Sequence, residues 1–245
     1  MTISDINFAT TKIEIVQNNK VIGSATGFFF RDNGVKYLAT NRHVVIDEND
    51  NHFPDSLYIF LHANREDLTK NFRIQILLFR DTSPLWLQHP AYEENLCDVV
   101  LIPLNERTLL ADNFRLFNSS SITFIGSELI NEKEINSFGS LAIIGYPLGF
   151  HDEIHNLPVY RKAMIASCYG VNFSGLPYFL IDANLHPGTS GSPVVNSHHT
   201  LFKERDGKEG YALFGVHSAE HIVDQDPLGL NVVWYAYLLV EIARQ

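Results

Sequence analysis

The sequence predicts an all-β chain that ends in one helix, and three observations lead there. Apolar runs of four to eight residues recur along the chain, bounded by turn residues rather than spaced with a helical period. Asn18-Asn19 and Asp32-Asn33-Gly34 stand between such runs and read as tight hairpin turns. The length, 245 residues with 45% hydrophobic and 12% aromatic side chains, suits one compact all-β unit with well-filled cores.

In chain order, residues 12–18 and 20–30 form the first hairpin, and Val35 to Ala39 follows the second turn. His43 then opens a short helical turn that Thr40 or Asn41 can cap. Leu57-Tyr58-Ile59-Phe60-Leu61 and Phe72 to Phe79 are further strands, and Asp98 to Leu104 is another. Residues 112 to 138, which include Asn118-Ser119-Ser120-Ser121 and the polar Asn131-Glu132-Lys133-Glu134, form a partly helical crossover. Another strand opens at Ser140-Leu141-Ala142-Ile143-Ile144, and Leu148 to Leu157 is a surface loop. Strands follow at Val159 to Tyr169, Tyr178 to Asp182, Val194-Val195, Tyr211 to Ser218 and Leu230 to Tyr235. A charged hairpin surrounds Lys203-Glu204-Arg205-Asp206-Gly207, and Leu238 to Arg244 is the closing helix.

His186-Pro187-Gly188-Thr189-Ser190-Gly191-Ser192-Pro193 carries the chemistry. Glycine admits positive φ and close approach, and proline stiffens the flanks. Such a turn lifts a hydroxyl clear while its amides point together, as a developing oxyanion needs. Ser190 is the candidate nucleophile, with the Gly188 and Ser190 amides as oxyanion hole. A hydroxyl needs a base and the base an orienting group. His43 ends an apolar strand, and Asp98 heads the run Val99-Val100-Leu101-Ile102. An aspartate there is costly to bury unless a histidine N–H meets it, and His, Asp, Ser is one of the known triad orders.

Thr26-Gly27-Phe28-Phe29-Phe30, Ala39-Thr40-Asn41-Arg42-His43, Asp98-Val99-Val100-Leu101, Gly188-Thr189-Ser190-Gly191-Ser192-Pro193 and Phe214-Gly215-Val216-His217-Ser218-Ala219 stand in one order across the chain. In these pieces it resembles the trypsin-like (chymotrypsin-fold) serine peptidases, and most of all the disulfide-poor bacterial branch of HtrA-like and glutamyl endopeptidases. The resemblance implies two six-stranded antiparallel Greek-key barrels with a C-terminal helix. Residues 1–118 would carry the histidine and aspartate, and residues 119–245 the nucleophile and specificity pocket. It also implies a serine endopeptidase working through an acyl-enzyme on protein or peptide substrates. Ser218 would support the aspartate and pair with the substrate backbone.

Three departures bear on regulation and specificity. Thr189 stands where zymogen-activated relatives have an aspartate that pairs with a new N-terminus, so activation by that route is not expected; the oxyanion loop is preformed or ordered by an activating protein partner. Ser192 replaces a usual glycine, as in glutamyl endopeptidases. Glu220 replaces a glycine at the pocket edge. Asn184, not aspartate, lies six residues before the nucleophile, which argues against strict Arg/Lys cleavage. His217 matches the position that reads acidic or amide side chains in glutamyl endopeptidases, although Leu185 stands where their accompanying hydroxyl would be. Asn184, Leu185, His217, Ser218, Ala219 and Glu220 are thus the expected substrate contacts.

A net charge of −10 with no basic stripe argues against nucleic acid or an anionic membrane as partner. No 18-residue apolar run is present, and the first residues show no signal-peptide pattern. Cys97 and Cys168, read as core thiols, fit a reducing cytoplasmic setting. His151, Asp152, His155 and His198-His199 lack the spacing of a metal site, so neither metal nor other cofactor is expected. A peptidase-fold binding module with an unformed oxyanion loop is the alternative.

Overall fold

A computed structural model describes residues 3–130, 139–196, 210–223 and 226–245. Strands β1 (Thr10–Gln17), β2 (Lys20–Asp32), β3 (Val35–Thr40), β4 (Ser56–His62) and β5 (Asn71–Leu77) fill most of the first third. They are followed by the two-residue strands β6 (Phe79–Arg80), β7 (Ser83–Pro84) and β8 (Leu87–Gln88), then β9 (Val100–Pro103) and β10 (Ile125–Gly126). The second half has β11 (Ser140–Gly145), β12 (Val159–Ile165), β13 (Tyr178–Asp182), β14 (Pro193–Asn196), β15 (Leu213–Val223) and β16 (Asp226–Tyr235). Helices are α1 (Ile6–Ala9), α2 (Arg42–Val45), α3 (Tyr92–Asn95), α4 (Ala111–Ser119) and α5 (Tyr237–Ala243).

The second half is a closed barrel in the order β11-β12-β13-β16-β15-β14. The first half is one eight-stranded sheet, β5-β4-β1-β2-β3-β9-β8, with β10 on β2. Six long strands are therefore joined by two short ones, β8 and β10, and β10 pairs parallel to β2 where only antiparallel pairs were expected. Because β10 adds to this sheet, the N-terminal sheet takes in residues as far as Gly126. Ile74 and Ile76 at one end of the sheet and Val100 and Ile102 at the other meet in one core with Ile13, Phe29 and Leu38.

Period-2 geometry explains the unbroken apolar runs of the sequence. In β2, Phe29 faces the core of its own sheet, whereas Phe28 and Phe30 join the core shared with the second barrel. Around β9, Val100 and Ile102 face inward and Val99 and Leu101 face the second barrel. Strands covered on both faces show no hydrophobic alternation. Asn18 and Asn19 have φ of 51° and 61°, and Asn33 and Gly34 of 47° and 81°, as paired left-handed turns require. Helix α5 closes the chain: the guanidinium of Arg244 grips the buried Asp32 of β2 at 2.9 Å through two nitrogens and holds its carboxyl below the usual range.

Several expectations need correction. Asn41 does not cap α2; its Nδ2 donates to the Asp98 carbonyl at 2.7 Å instead. Strand β12 stops at Ile165, because Ser167 leaves the ladder to accept the Leu180 N–H through its hydroxyl and the chain turns at Gly170, where φ is +85°. Cys168 is exposed in that turn rather than in the core, while Cys97 is buried and burial pushes its thiol up to about 12. The polar stretch 131–134, His198-His199 and the hairpin at 203–207 lie outside the described residues.

Candidate active site

Register brings His43 and Asp98 together. Thr40 pairs with Val100 at the end of the β3–β9 ladder, so the residues just past β3 and just before β9 leave the same end of one strand pair. His43 Nδ1 lies 2.7 Å from Asp98 Oδ2, and the His43 backbone N–H donates to Asp98 Oδ1 at 2.9 Å. The Ser218 hydroxyl donates to Oδ2 at 2.6 Å. Three donors thus hold a half-buried carboxylate, which fixes the imidazole with its proton on Nδ1. Burial of His43 lowers its pKa, but the charge and hydrogen bond of Asp98 outweigh that and leave it raised above the ordinary histidine value. Beside the imidazole, Arg42 forms a two-pronged ion pair with Glu48 at 2.7 and 2.9 Å and stacks 4.3 Å over Tyr92.

Ser190 comes from the turn before β14 of the second barrel. Gly188 and Gly191 have φ of +94° and +83°, which only glycine adopts without strain. A Cβ on Gly188 would lie 2.7 Å from the Tyr146 carbonyl oxygen, and one on Gly191 2.1 Å from that of Thr26. Thr189 turns back into its own loop: its hydroxyl and amide both donate to the His186 carbonyl, at 2.7 and 3.2 Å. The Gly188 and Ser190 amides donate to no protein acceptor among the described residues. The Ser190 hydroxyl donates to the Ser218 carbonyl at 3.0 Å, and no hydrogen bond joins it to His43 in this arrangement. Ser218 therefore touches both halves of the site, its hydroxyl on Asp98 and its carbonyl on Ser190.

The sequence reading missed Thr26. Fully buried in β2, it donates its N–H to the Ser190 carbonyl at 2.9 Å and its hydroxyl to the Gly188 carbonyl at 2.8 Å. The same hydroxyl accepts the Tyr146 N–H at 3.0 Å, and the Thr26 carbonyl accepts the Thr40 hydroxyl at 2.9 Å. In the sequence only a small polar residue beside Gly27 hints at this.

A pocket of about 250 Å³ adjoins Ser190, lined among others by Leu185, His217, Ser218, Ala219 and Glu220. Asn184 does not line it; its side chain is exposed and its carbonyl accepts the Arg161 guanidinium outside. Asn231, not singled out in the sequence, does line it. His217 is buried with both ring nitrogens engaged, Nδ1 with the Thr189 carbonyl at 3.0 Å and Nε2 with Asn231 Oδ1 at 3.3 Å. His155 pairs with Asp152 at 2.8 Å and His151 bonds the Gly149 carbonyl.

No curated protein sequence matches the chain. Among solved structures, the serine endoprotease from Yersinia pestis is similar at a TM-score of 0.58 and 15% identity, covering 99% of this chain and 66% of its own. The HtrA-type protease AlgW with tripeptide gives 0.56 and 16%, covering 97% of this chain; this chain spans 60% of AlgW's length. The inactive form of Rv3671c from M. tuberculosis gives 0.51 and 15%, covering 97% and 85%. These likenesses speak for the fold, the two-barrel fold of trypsin-like proteases. The trypsin-like peptidase domain family matches residues 25–202, well over half the sequence, and the chain belongs to that family.

Proposed function

We propose that the protein is a serine endopeptidase whose triad is Ser190, His43 and Asp98. The observation that carries this reading is the unbroken run of contacts from His43 through Asp98 and Ser218 to Ser190. With its proton on Nδ1, the neutral imidazole presents a lone pair at Nε2 for the serine proton. An incoming peptide N–H that takes the Ser218 carbonyl frees the Ser190 hydroxyl to turn to His43. Ser190 Oγ then attacks the scissile carbonyl as its proton passes to His43 Nε2, and the negative oxygen rests on the Gly188 and Ser190 amides. His43 returns the proton to the leaving amine as the C–N bond breaks, and water repeats the sequence on the acyl-enzyme. Asp98 keeps the tautomer and stabilises the imidazolium.

Zymogen-type activation has no place in this reading. Thr189 is bonded into its own loop, and Thr26 ties the Gly188 and Ser190 carbonyls to the first sheet, so these bonds hold the loop with no N-terminus paired to it. A protein partner would then set access or rate rather than build the loop. We place the protein in a reducing cytoplasm on its two free thiols. The test is hydrolysis of unstructured proteins by the unprocessed chain: cleavage abolished in Ser190→Ala supports the reading, and undiminished cleavage in that variant contradicts it.

A further inference from the structure

The chain that joins β8 to β9, residues 89–99, delivers Asp98, yet residues 96–99 lie outside the strand ladder, which starts at Val100. On the N-terminal side of the aspartate the placing bonds come from within this connection, and His89 is at their centre. Its imidazole is 8% exposed. Nδ1 accepts the Ala91 backbone N–H at 3.1 Å and an N–H of Asn95 Nδ2 at 3.0 Å. A backbone N–H can only donate, so Nδ1 holds no proton. The ring proton therefore sits on Nε2, 2.9 Å from Glu241 Oε2 on α5, the opposite tautomer to that of His43.

Asn95 carries the constraint onward. Its Oδ1 accepts the Cys97 N–H at 3.0 Å, one residue before Asp98. The amide is fixed from both sides: turned over, its nitrogen would face the Cys97 N–H and its oxygen the Nδ1 lone pair. Between the two, Leu96 has a φ of 51°, a left-handed backbone that a leucine keeps only where its neighbours hold it. The Leu96 N–H donates to the Tyr92 carbonyl at 2.8 Å, and the bond from Cys97 to Asn95 closes the turn on its other side. Among the described residues, neither His89 nor Asn95 bonds His43, Asp98 or Ser190, and neither lines the pocket beside Ser190. The triad chemistry gives this network no part.

We propose that His89 is a positioning residue for Asp98. Its Nδ1 lone pair holds Ala91 and Asn95, Asn95 holds Cys97, and Glu241 anchors the ring to the closing helix. The aspartate must offer Oδ1 to the His43 N–H and Oδ2 to Nδ1, at 2.9 and 2.7 Å, so a small swing of the backbone at Cys97 loosens both. Without an acceptor at position 89 the Asn95 amide is free to turn, Leu96 relaxes to an ordinary backbone, and Asp98 moves with it. The proposal rests on the serine peptidase reading, in which Asp98 orients the base.

The test compares His89→Ala with His89→Asn. Asparagine sets its Oδ1 near the place of Nδ1 and bonds a backbone N–H two residues on, as asparagines in turns do, whereas alanine offers no acceptor. Two readouts are taken on each folded variant. The proton between His43 and Asp98 gives a low-field line in the proton NMR spectrum, recorded without substrate. That line should be present in the native protein and in His89→Asn, and lost in His89→Ala. With a cleaved peptide, kcat should fall about tenfold to a hundredfold in His89→Ala with KM nearly unchanged, and stay close to native in His89→Asn. Equal loss in both variants means that the ring merely fills space and overturns the proposal, as does an unchanged His89→Ala. Asn95→Ala alters a half-buried side chain and leaves the ring in place, so it should lose the line as well. An intact line there overturns the proposal even if His89→Ala does not fold. A native protein that cuts no peptide sinks the peptidase reading alone, and the NMR line still decides the role of His89.

Discussion

His43 and Asp98 hang from one hydrogen-bonded strand pair, β3 and β9, and are joined to each other by two bonds of 2.7 and 2.9 Å within a single sheet. Ser190 stands in a glycine-rich turn of the other barrel, and two of the bonds that hold that turn come from Thr26 across the interface. The proposed base and its orienting acid are thus fixed by the regular register of one sheet, whereas the proposed nucleophile is fixed by the contact between two folding units. Damage to the His43–Asp98 pair should act on proton transfer alone. Damage to the contact between Thr26 and the Ser190 turn should disturb placement of the nucleophile and of the amides together.

The largest effect is expected from Asp98→Asn, which keeps the shape but loses the charge and the tautomer preference at His43. Turnover should fall about 10⁴-fold, as this exchange does in Ser-His-Asp peptidases, with KM for a peptide substrate nearly unchanged. Gly188→Ala should come next, with kcat about 10² to 10³ lower. Its Cβ meets the Tyr146 carbonyl oxygen at 2.7 Å and the Leu148 amide nitrogen at 2.8 Å, so the amide must move. Thr26→Val keeps volume and removes the hydroxyl bonded to the Gly188 carbonyl, so kcat should drop about tenfold to a hundredfold. Thr26→Ser should restore most of that loss, and an equal loss in both variants would show that packing rather than the hydroxyl matters.

The smallest effect lies in the pH profile. The proposed reaction uses neutral His43, and its pKa is raised in the folded protein, so kcat/KM should rise with pH along an acid limb displaced above the ordinary histidine value. Folding is linked with the opposite sense. A raised pKa means that the protonated ring stabilises the native state, fully below the unfolded-state pKa, and that this contribution disappears as pH climbs through the folded value. In Asp98→Asn burial is the dominant influence left on His43, so both displacements should reverse sign.

Much of this was readable from residue patterns. The hairpins at Asn18-Asn19 and Asn33-Gly34 declared themselves because few residues tolerate positive φ, and Gly188 and Gly191 on either side of Ser190 did so for the same reason. The order of His43, Asp98 and Ser190 marked the candidate site before any register was available. Thr26 and Asn231 stayed hidden because each is one polar residue in an apolar strand, and its partners lie far along the chain or at a turn. Which face Phe28, Phe29 and Phe30 present could not be read either, since a strand covered on both sides has no alternation to reveal it. Asn184 was misplaced because counting back from Ser190 cannot tell which residues of the turn face the pocket and which face Arg161.

The central claim is that Ser190 is a nucleophile activated by His43. Intact-protein mass spectrometry after treatment with a fluorophosphonate tests it most directly. One adduct is expected, mapped to Ser190, formed slowly in His43→Ala and absent in Ser190→Ala. No adduct on a folded protein, or an adduct that persists in Ser190→Ala, would contradict the account.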